Sequence, residues 1–185
     1  TSNLNRQIIF SHKDIGKKKI TGAKKYLRKI FKDAKIKSYN TKIDKKNCGR
    51  IINKTDVVID GSDNWKTMLA VNDHCVKNNI PLLSASVAGF DGNLVFFENI
   101  KEKHLCLRCV FPNKNDIDLP RCETIGILGT TAGIIGLLSA HKIVNFLTTK
   151  KNKKKISTIT YFDGNKLDFT NININSNKNC KLVKK

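Results

Sequence analysis

Two acidic residues flank a glycine and a serine where an apolar run ends. The run begins at Asp56, and its last residue, Asp60, is followed by Gly61, Ser62 and Asp63. Such a run ended by glycine predicts a buried parallel strand, and sites in α/β sheets lie at the carboxyl ends of strands. A carboxylate there can hold magnesium beside a phosphate. Alternatively, Asp63 or Ser62 simply caps the following helix.

The opening of the chain contains groups that suit a nucleotide. Asn3, Arg6 and Gln7 bring two amides and a guanidinium together, and such groups bind ribose and phosphate oxygens. Lys19 ends a run of three lysines at a predicted helix start, where backbone amides and a cation can meet an anion. A polar loop and a solvated lysine run are the alternative interpretations.

Six cysteines are spread unevenly, and one close pair stands out. Cys106 and Cys109 have the spacing of half a zinc knuckle. A second close pair is missing, because Cys180 has Val183 where its partner would fall; His104 is a conceivable fourth ligand. No secretory signal is recognisable, so a metal or redox role is favoured over a disulfide framework. A degenerate or empty site is the alternative.

Cys122 directly precedes a glycine-rich apolar region. A thiol near a helix start has its thiolate favoured, and the neighbouring Arg121 acts in the same direction. Cys122 is therefore a candidate nucleophile. A partly buried and inert cysteine is the alternative.

Alternating strand and helix patterns predict an α/β sheet that positions these residues. We predict helices from residue 15 and over residues 64–78, and strands over residues 34–39, 56–60, 81–88 and 93–98. The uncharged region 124–140 predicts a buried helical hairpin whose glycines are packing positions, and residues 156–170 predict an antiparallel hairpin. Residues 1–185 are interpreted as one domain with a cysteine-containing loop (99–121) and a tail (171–185).

Composition limits the class of protein. The 185 residues carry 35 basic and 15 acidic side chains, a formal net charge of +20, and 39% hydrophobic residues, which excludes a wholly disordered chain. Lysine greatly outnumbers arginine, and aromatic residues make up only 7%, so nucleic-acid binding is disfavoured. The longest uncharged stretch falls short of the ~20 residues of a membrane span. We predict a cytoplasmic protein that binds neither membranes nor nucleic acid.

Several of these segments occur in an order that resembles the ThiF/MoeB group of the ubiquitin-activating-enzyme-like family. The resemblance covers residues 2 to about 170 and rests on these segments, in order: SNLNRQ, IGKKK, DGSDN, PLLSASVAGFDG, CLRCVFP and CETIGILGTTAGIIG. It implies a Rossmann-like sheet with flanking helices and a C-terminal antiparallel hairpin. It also implies a homodimer that uses ATP and magnesium to adenylate the C-terminal glycine of a ubiquitin-like sulfur carrier protein, in thiamin or molybdopterin biosynthesis.

The resemblance assigns roles residue by residue. The catalytic residues it implies are Arg6, Lys19, Asp63 and Cys122. The implied nucleotide-binding residues are Asn3, Arg6, Gln7, Lys19, Asp63 and Asn64. Asp63 would bind magnesium, Cys122 would take up sulfur or the acyl group, and Cys106, Cys109 and Cys180 match three of four zinc ligands.

The chain departs from that family at two places. Val183 stands at the fourth zinc-ligand position, and the sequence contains no glycine-rich nucleotide loop after a strand. The chain therefore looks like the C-terminal two-thirds of an activating enzyme, and we predict that in isolation it binds ATP poorly. The alternative is a non-catalytic remnant or paralogue that keeps only dimerisation and carrier docking.

Overall fold

The computed structural model describes residues 3–98, 105–112, 126–149, 157–177, 179–180 and 182–183. The chain forms two compact units, residues 1–42 and 43–185. All of the β-strands in the described residues belong to the second unit.

The first unit is built around helix α1 (Lys19–Ile30), which follows a 3-10 turn at His12–Asp14. The predicted helix is confirmed, but it begins at Lys19 and not at residue 15. Its apolar residues lie at helical spacing on one face, with lysines on the other. The predicted strand over residues 34–39 is wrong, because these residues pair with no strand in the described part of the chain. A strand needs a neighbour for its backbone N–H and C=O groups.

The second unit contains a sheet and four helices in the described residues. The helices are α2 (Cys48–Ile51), α3 (Trp65–Asn78), α4 (Leu107–Val110) and α5 (Gly129–Thr148). The strands are β1 (Val58–Asp60), β2 (Leu82–Ala88), β3 (Asp91–Phe97), β4 (Ser157–Asp163) and β5 (Asp168–Ile174).

The five strands form one mixed sheet in the order β1-β2-β3-β4-β5. β1 runs parallel to β2, and each later pair is antiparallel. Only two residues, Gly89 and Phe90, join β2 to β3, too few for a parallel crossover. The predicted α/β class and C-terminal hairpin are confirmed. β5 continues to Ile174, so the predicted tail begins inside a strand.

Each face of the sheet has its own apolar core, because successive strand residues point to opposite faces. One core lies under α3 and α4 and includes Leu82, Val95 and Phe97 of the sheet. The other core lies under α5 and includes Leu83, Leu94, Phe96 and Ile143. The sheet therefore separates α3 and the cysteine-bearing helix α4 from α5.

Helix α5 is continuous, so the predicted helical hairpin is wrong. Its buried residues are Thr131, Ile135, Ser139 and Ile143, one stripe at a spacing of four, and the rest of the helix is not buried. A Cβ added at Gly133 or Gly136 would meet nothing within 4 Å, so these glycines are not packing positions either. In the described residues, α5 alone is long and apolar enough to cross a membrane; length and composition by themselves are a weak argument for a span.

The contact between β3 and α5 leads to a stability prediction. A Cβ at Gly92 would overlap Cγ1 of Ile135 and lie 2.6 Å from its Cδ1, and Ile135 is only 3% exposed. We therefore expect Gly92→Ala to lower the free energy of unfolding by roughly 1–3 kcal/mol in urea denaturation. Gly133→Ala is the matched control and should raise that free energy by up to about 1 kcal/mol. Equal losses in both variants would contradict the packing described.

Strand β1 ends in a buried carboxyl group. Asp60 is 6% exposed; its Oδ1 accepts a hydrogen bond from Ser62 N at 3.0 Å, and its Oδ2 has no partner in the described residues. Burial raises the pKa of Asp60, and the hydrogen bond from Ser62 N opposes that rise. The protonated form is therefore favoured in the folded state more than in the unfolded chain.

The raised pKa of Asp60 fixes the sign of a pH effect. The folded state loses the stability contributed by the protonated carboxyl as pH rises above about 3.9, the ordinary pKa of an aspartate. Asp60→Asn keeps an acceptor for Ser62 N and removes the charge. We expect it to raise the free energy of unfolding at pH 7 by on the order of 1 kcal/mol, and to match wild type near pH 3, in thermal unfolding across this range. A less stable variant at pH 7 would mean that the carboxylate has a favourable charge partner.

Candidate nucleotide and metal sites

A cavity of about 310 Å³ lies in the first unit. Its polar lining is Asn3, Gln7, Lys17, Lys18, Lys19 and the carboxylate Asp14, and its apolar lining is Leu4, Phe10 and Ile15. Lys18 is the N-cap of α1 and makes no side-chain capping hydrogen bond. Three of the predicted nucleotide-binding residues thus share one cavity at the positive end of a helix.

A tight turn brings the polar residues of the opening segment together. The backbone N–H groups of Arg6 and Gln7 donate to the Asn3 carbonyl, at 3.2 and 3.1 Å. The Arg6 guanidinium donates to the side-chain oxygens of Asn3 and Asn5, the latter at 3.1 Å. Arg6 is therefore held by its neighbours on the turn.

At the end of β1, the residue that caps the next helix is Asn64. Its Oδ1 accepts a hydrogen bond from Thr67 N at 2.9 Å, so the alternative of a cap by Asp63 or Ser62 is wrong. Asp63 is exposed, and its Oδ1 accepts a hydrogen bond from Asn64 Nδ2 at 3.4 Å. The Asp63 carboxylate, which was predicted from the sequence to bind magnesium, therefore does not cap α3 and is open to solvent. Its oxygens are the ligand type that Mg²⁺ prefers. Asn64, in contrast, uses its side-chain oxygen to start α3.

The predicted phosphate-binding residues belong to both units. Arg6 and Lys19 lie in the first, and Asp63 in the second. Their convergence on one α-phosphate stays a prediction.

Three thiols converge in the second unit. Cys106 Sγ lies 3.7 Å from Cys109 Sγ and 3.8 Å from Cys180 Sγ, and all three sulfurs lie within 4.8 Å of one another. Cys106 and Cys180 are buried, and Cys109 is partly exposed. Burial, followed by the neighbouring thiols, raises the pKa of Cys106 to about 12, and burial raises the pKa of Cys109. A metal would therefore have to displace protons from this cluster.

Helix α3 holds the turn that carries two of these thiols. The fully buried Asn72 accepts a hydrogen bond from Leu107 N through its Oδ1 at 2.9 Å. Next to it, Asp73 accepts two hydrogen bonds from Arg108, from Nε at 2.7 Å and from Nη2 at 2.8 Å. This bidentate pair and the buried amide fix the position of the cysteine turn.

These anchoring residues were not predicted from the sequence. One signal was available, since Asn72 lies four residues after Met68 and three before Cys75, on the apolar face of α3. A buried amide in such a position requires a partner. The identity of that partner, Leu107 N, depends on the tertiary fold.

The cluster fits zinc at three positions and not at the fourth. A tetrahedral ion with Zn–S bonds of about 2.3 Å places its sulfurs about 3.8 Å apart, which agrees with the two shorter distances. Val183 has no donor atom, and in the described residues no His, Asp, Glu or further Cys joins the cluster. His104, Arg121 and Cys122 lie outside the described residues, so their predicted roles stay predictions.

Comparison with known proteins identifies the family of this chain. Residues 1–182 match the ThiF family. The chain is 27% identical over 182 residues to the SAMP-activating enzyme E1 of Haloferax volcanii, covering 98% of this chain and 66% of that protein. It is 30% identical over 174 residues to the adenylyltransferase and sulfurtransferase MOCS3 of Dictyostelium discoideum, covering 94% of this chain and 40% of that protein.

Solved structures agree on the fold. The structure of E. coli MccB with MccA-N7isoASN superimposes with a TM-score of 0.80 at 18% identity, covering 99% of this chain and 56% of that one. The chain thus spans 66% or less of the length of these three proteins. Because the family match extends over nearly all of its residues, this chain belongs to the ThiF family.

Proposed function

We propose that this chain is an adenylyltransferase that activates the C-terminal glycine of a ubiquitin-like sulfur carrier protein with ATP. The observation that carries the proposal is the ThiF family match over residues 1–182. Names of relatives support it, among them the sulfur carrier protein adenylyltransferase of Thermus thermophilus, 27% identical over 185 residues. The pathway we propose is thiamin or molybdopterin biosynthesis, and the setting a cytoplasmic homodimer.

The proposed reaction moves one adenylyl group. A carboxylate oxygen of the carrier attacks the α-phosphorus of ATP, the bond to the β-phosphate oxygen breaks, and pyrophosphate leaves. The product is an acyl-adenylate. Negative charge spreads over the phosphoryl oxygens during this step, and Arg6 and Lys19 would stabilise it as positioned cations.

The cavity of the first unit supports the nucleotide part of this proposal. Lys17, Lys18 and Lys19 provide three cations around it, and Asn3 and Gln7 provide amides suited to hydroxyl and phosphate oxygens. The start of α1 adds the partial positive charge of a helix N-terminus. Asp14 lines the same cavity, and its carboxylate accepts hydrogen bonds from Ser11 N and Oγ. The three lysines outnumber this one acid, so the cavity favours an anionic, hydrogen-bonding ligand.

Two further residues would complete the chemistry. Asp63 would hold magnesium, which neutralises phosphate charge when bound. The Cys122 thiolate would attack the carbonyl carbon of the acyl-adenylate, forming a thioester and releasing AMP.

A second candidate function is a non-catalytic module that docks the carrier and dimerises. It is favoured by Val183 at the fourth zinc position. The retained Arg6, Lys19 and Asp63 favour the enzyme.

ATP–pyrophosphate exchange distinguishes the two candidates. With the reduced chain, a carrier protein ending in Gly-Gly, and ATP raised into the millimolar range to offset weak binding, we expect exchange that requires the carrier. Asp63→Ala should lower its rate about 10²-fold or more, because a metal-bearing carboxylate is lost beside the reacting phosphate.

Asp56→Ala is the matched control, since Asp56 is an exposed aspartate just before the opposite end of the same strand. It should leave the exchange rate unchanged. Carrier binding without exchange at any ATP concentration would favour the docking module, and exchange insensitive to Asp63→Ala would remove Asp63 from the mechanism.

A further inference from the structure

The thiol cluster is made of two turns of the same kind, one of which lacks its second sulfur. In the first turn, Cys109 N donates to the Cys106 carbonyl at 2.9 Å. In the second, Val183 N donates to the Cys180 carbonyl at 3.2 Å. Val183 therefore occupies the place in its turn that Cys109 occupies in the other.

Val183 is partly buried and packs against the apolar core that contains Cys106 and Cys180. An isopropyl group offers no lone pair, so this position contributes no metal ligand. The distances from Cys106 Sγ to the other two sulfurs, 3.7 and 3.8 Å, nevertheless match a tetrahedral site. Asn72 and the Asp73–Arg108 pair hold the turn of Cys106 and Cys109.

We propose that Cys106, Cys109 and Cys180 bind one zinc ion and leave its fourth coordination position to an exchangeable small ligand from solvent. Zinc in proteins is almost always four-coordinate, and a site with three protein ligands takes water or another small molecule at the fourth position. Cys109, the partly exposed member, gives solvent a route to the ion. The site is thus open, where four cysteines would make it closed and purely structural. This inference is independent of the proposed adenylation.

Cobalt spectroscopy tests the open position directly. The fully reduced chain is loaded with Co²⁺ as a spectroscopic substitute for Zn²⁺, and imidazole is added as the probe ligand. We expect one Co²⁺ per chain, thiolate charge-transfer absorption that is lost in Cys180→Ser, and a shift of the cobalt d–d bands on adding imidazole.

Val183→Cys closes the site and should make these bands insensitive to imidazole. It should also tighten Zn²⁺ binding about tenfold or more in competition with a chromophoric chelator. Leu182→Cys is the matched control, since it adds a thiol one residue away from the ligand position; it should leave both the affinity and the imidazole response as in wild type.

Two results would overturn the proposal. One is a chain with all three thiols reduced that binds neither Co²⁺ nor Zn²⁺. The other is a wild-type cobalt spectrum that imidazole leaves unchanged, which would mean that the protein supplies the fourth ligand; gain of the imidazole response in His104→Ala would identify it. The imidazole arm uses wild-type protein, so it decides the question even where Val183→Cys fails to fold.

Discussion

The packing of helix α3 against the sheet positions both candidate sites of the second unit. Its apolar face, from Trp65 to Val76, closes one of the two cores. Its N-terminus is capped by Asn64, directly after the exposed Asp63, and its middle is bonded to the cysteine turn through Asn72 and Asp73. A shift of this helix would therefore displace the acid and the thiols together.

The charge distribution of this chain favours anionic ligands. Its formal net charge of +20 creates a positive field that attracts phosphates, and the lysines around the cavity of the first unit concentrate that field at one place. In the second unit, Asp63 is an exposed carboxylate, and its oxygens are the ligand type that a hard divalent cation prefers. The buried Asp60 plays a different part, because burial raises its pKa and favours the neutral form.

The cysteine cluster combines one turn that carries two thiols with a second turn that carries one. The turn around Val183 keeps its backbone hydrogen bond, and the valine side chain packs with the core. The turn therefore forms without a second sulfur at this position. The coordination of a bound metal does depend on it, since three sulfurs leave a tetrahedral ion with one position to fill.

The amino-acid sequence by itself determined the elements whose patterns are local, and the family to which the chain belongs. The apolar run before Gly61, the helical spacing after Asn64 and the turn residues around Gly164 each specify their own structure. Tertiary structure decided what depends on partners distant in the chain. Residues 34–39 have strand-like composition and no neighbouring strand, and glycines in α5 did not break the helix. Cys106 contacts Cys180, which lies 74 residues later in the chain, and Asn72 accepts a hydrogen bond from Leu107, 35 residues later. Such contacts follow from how the helices pack on the sheet, which no local pattern encodes.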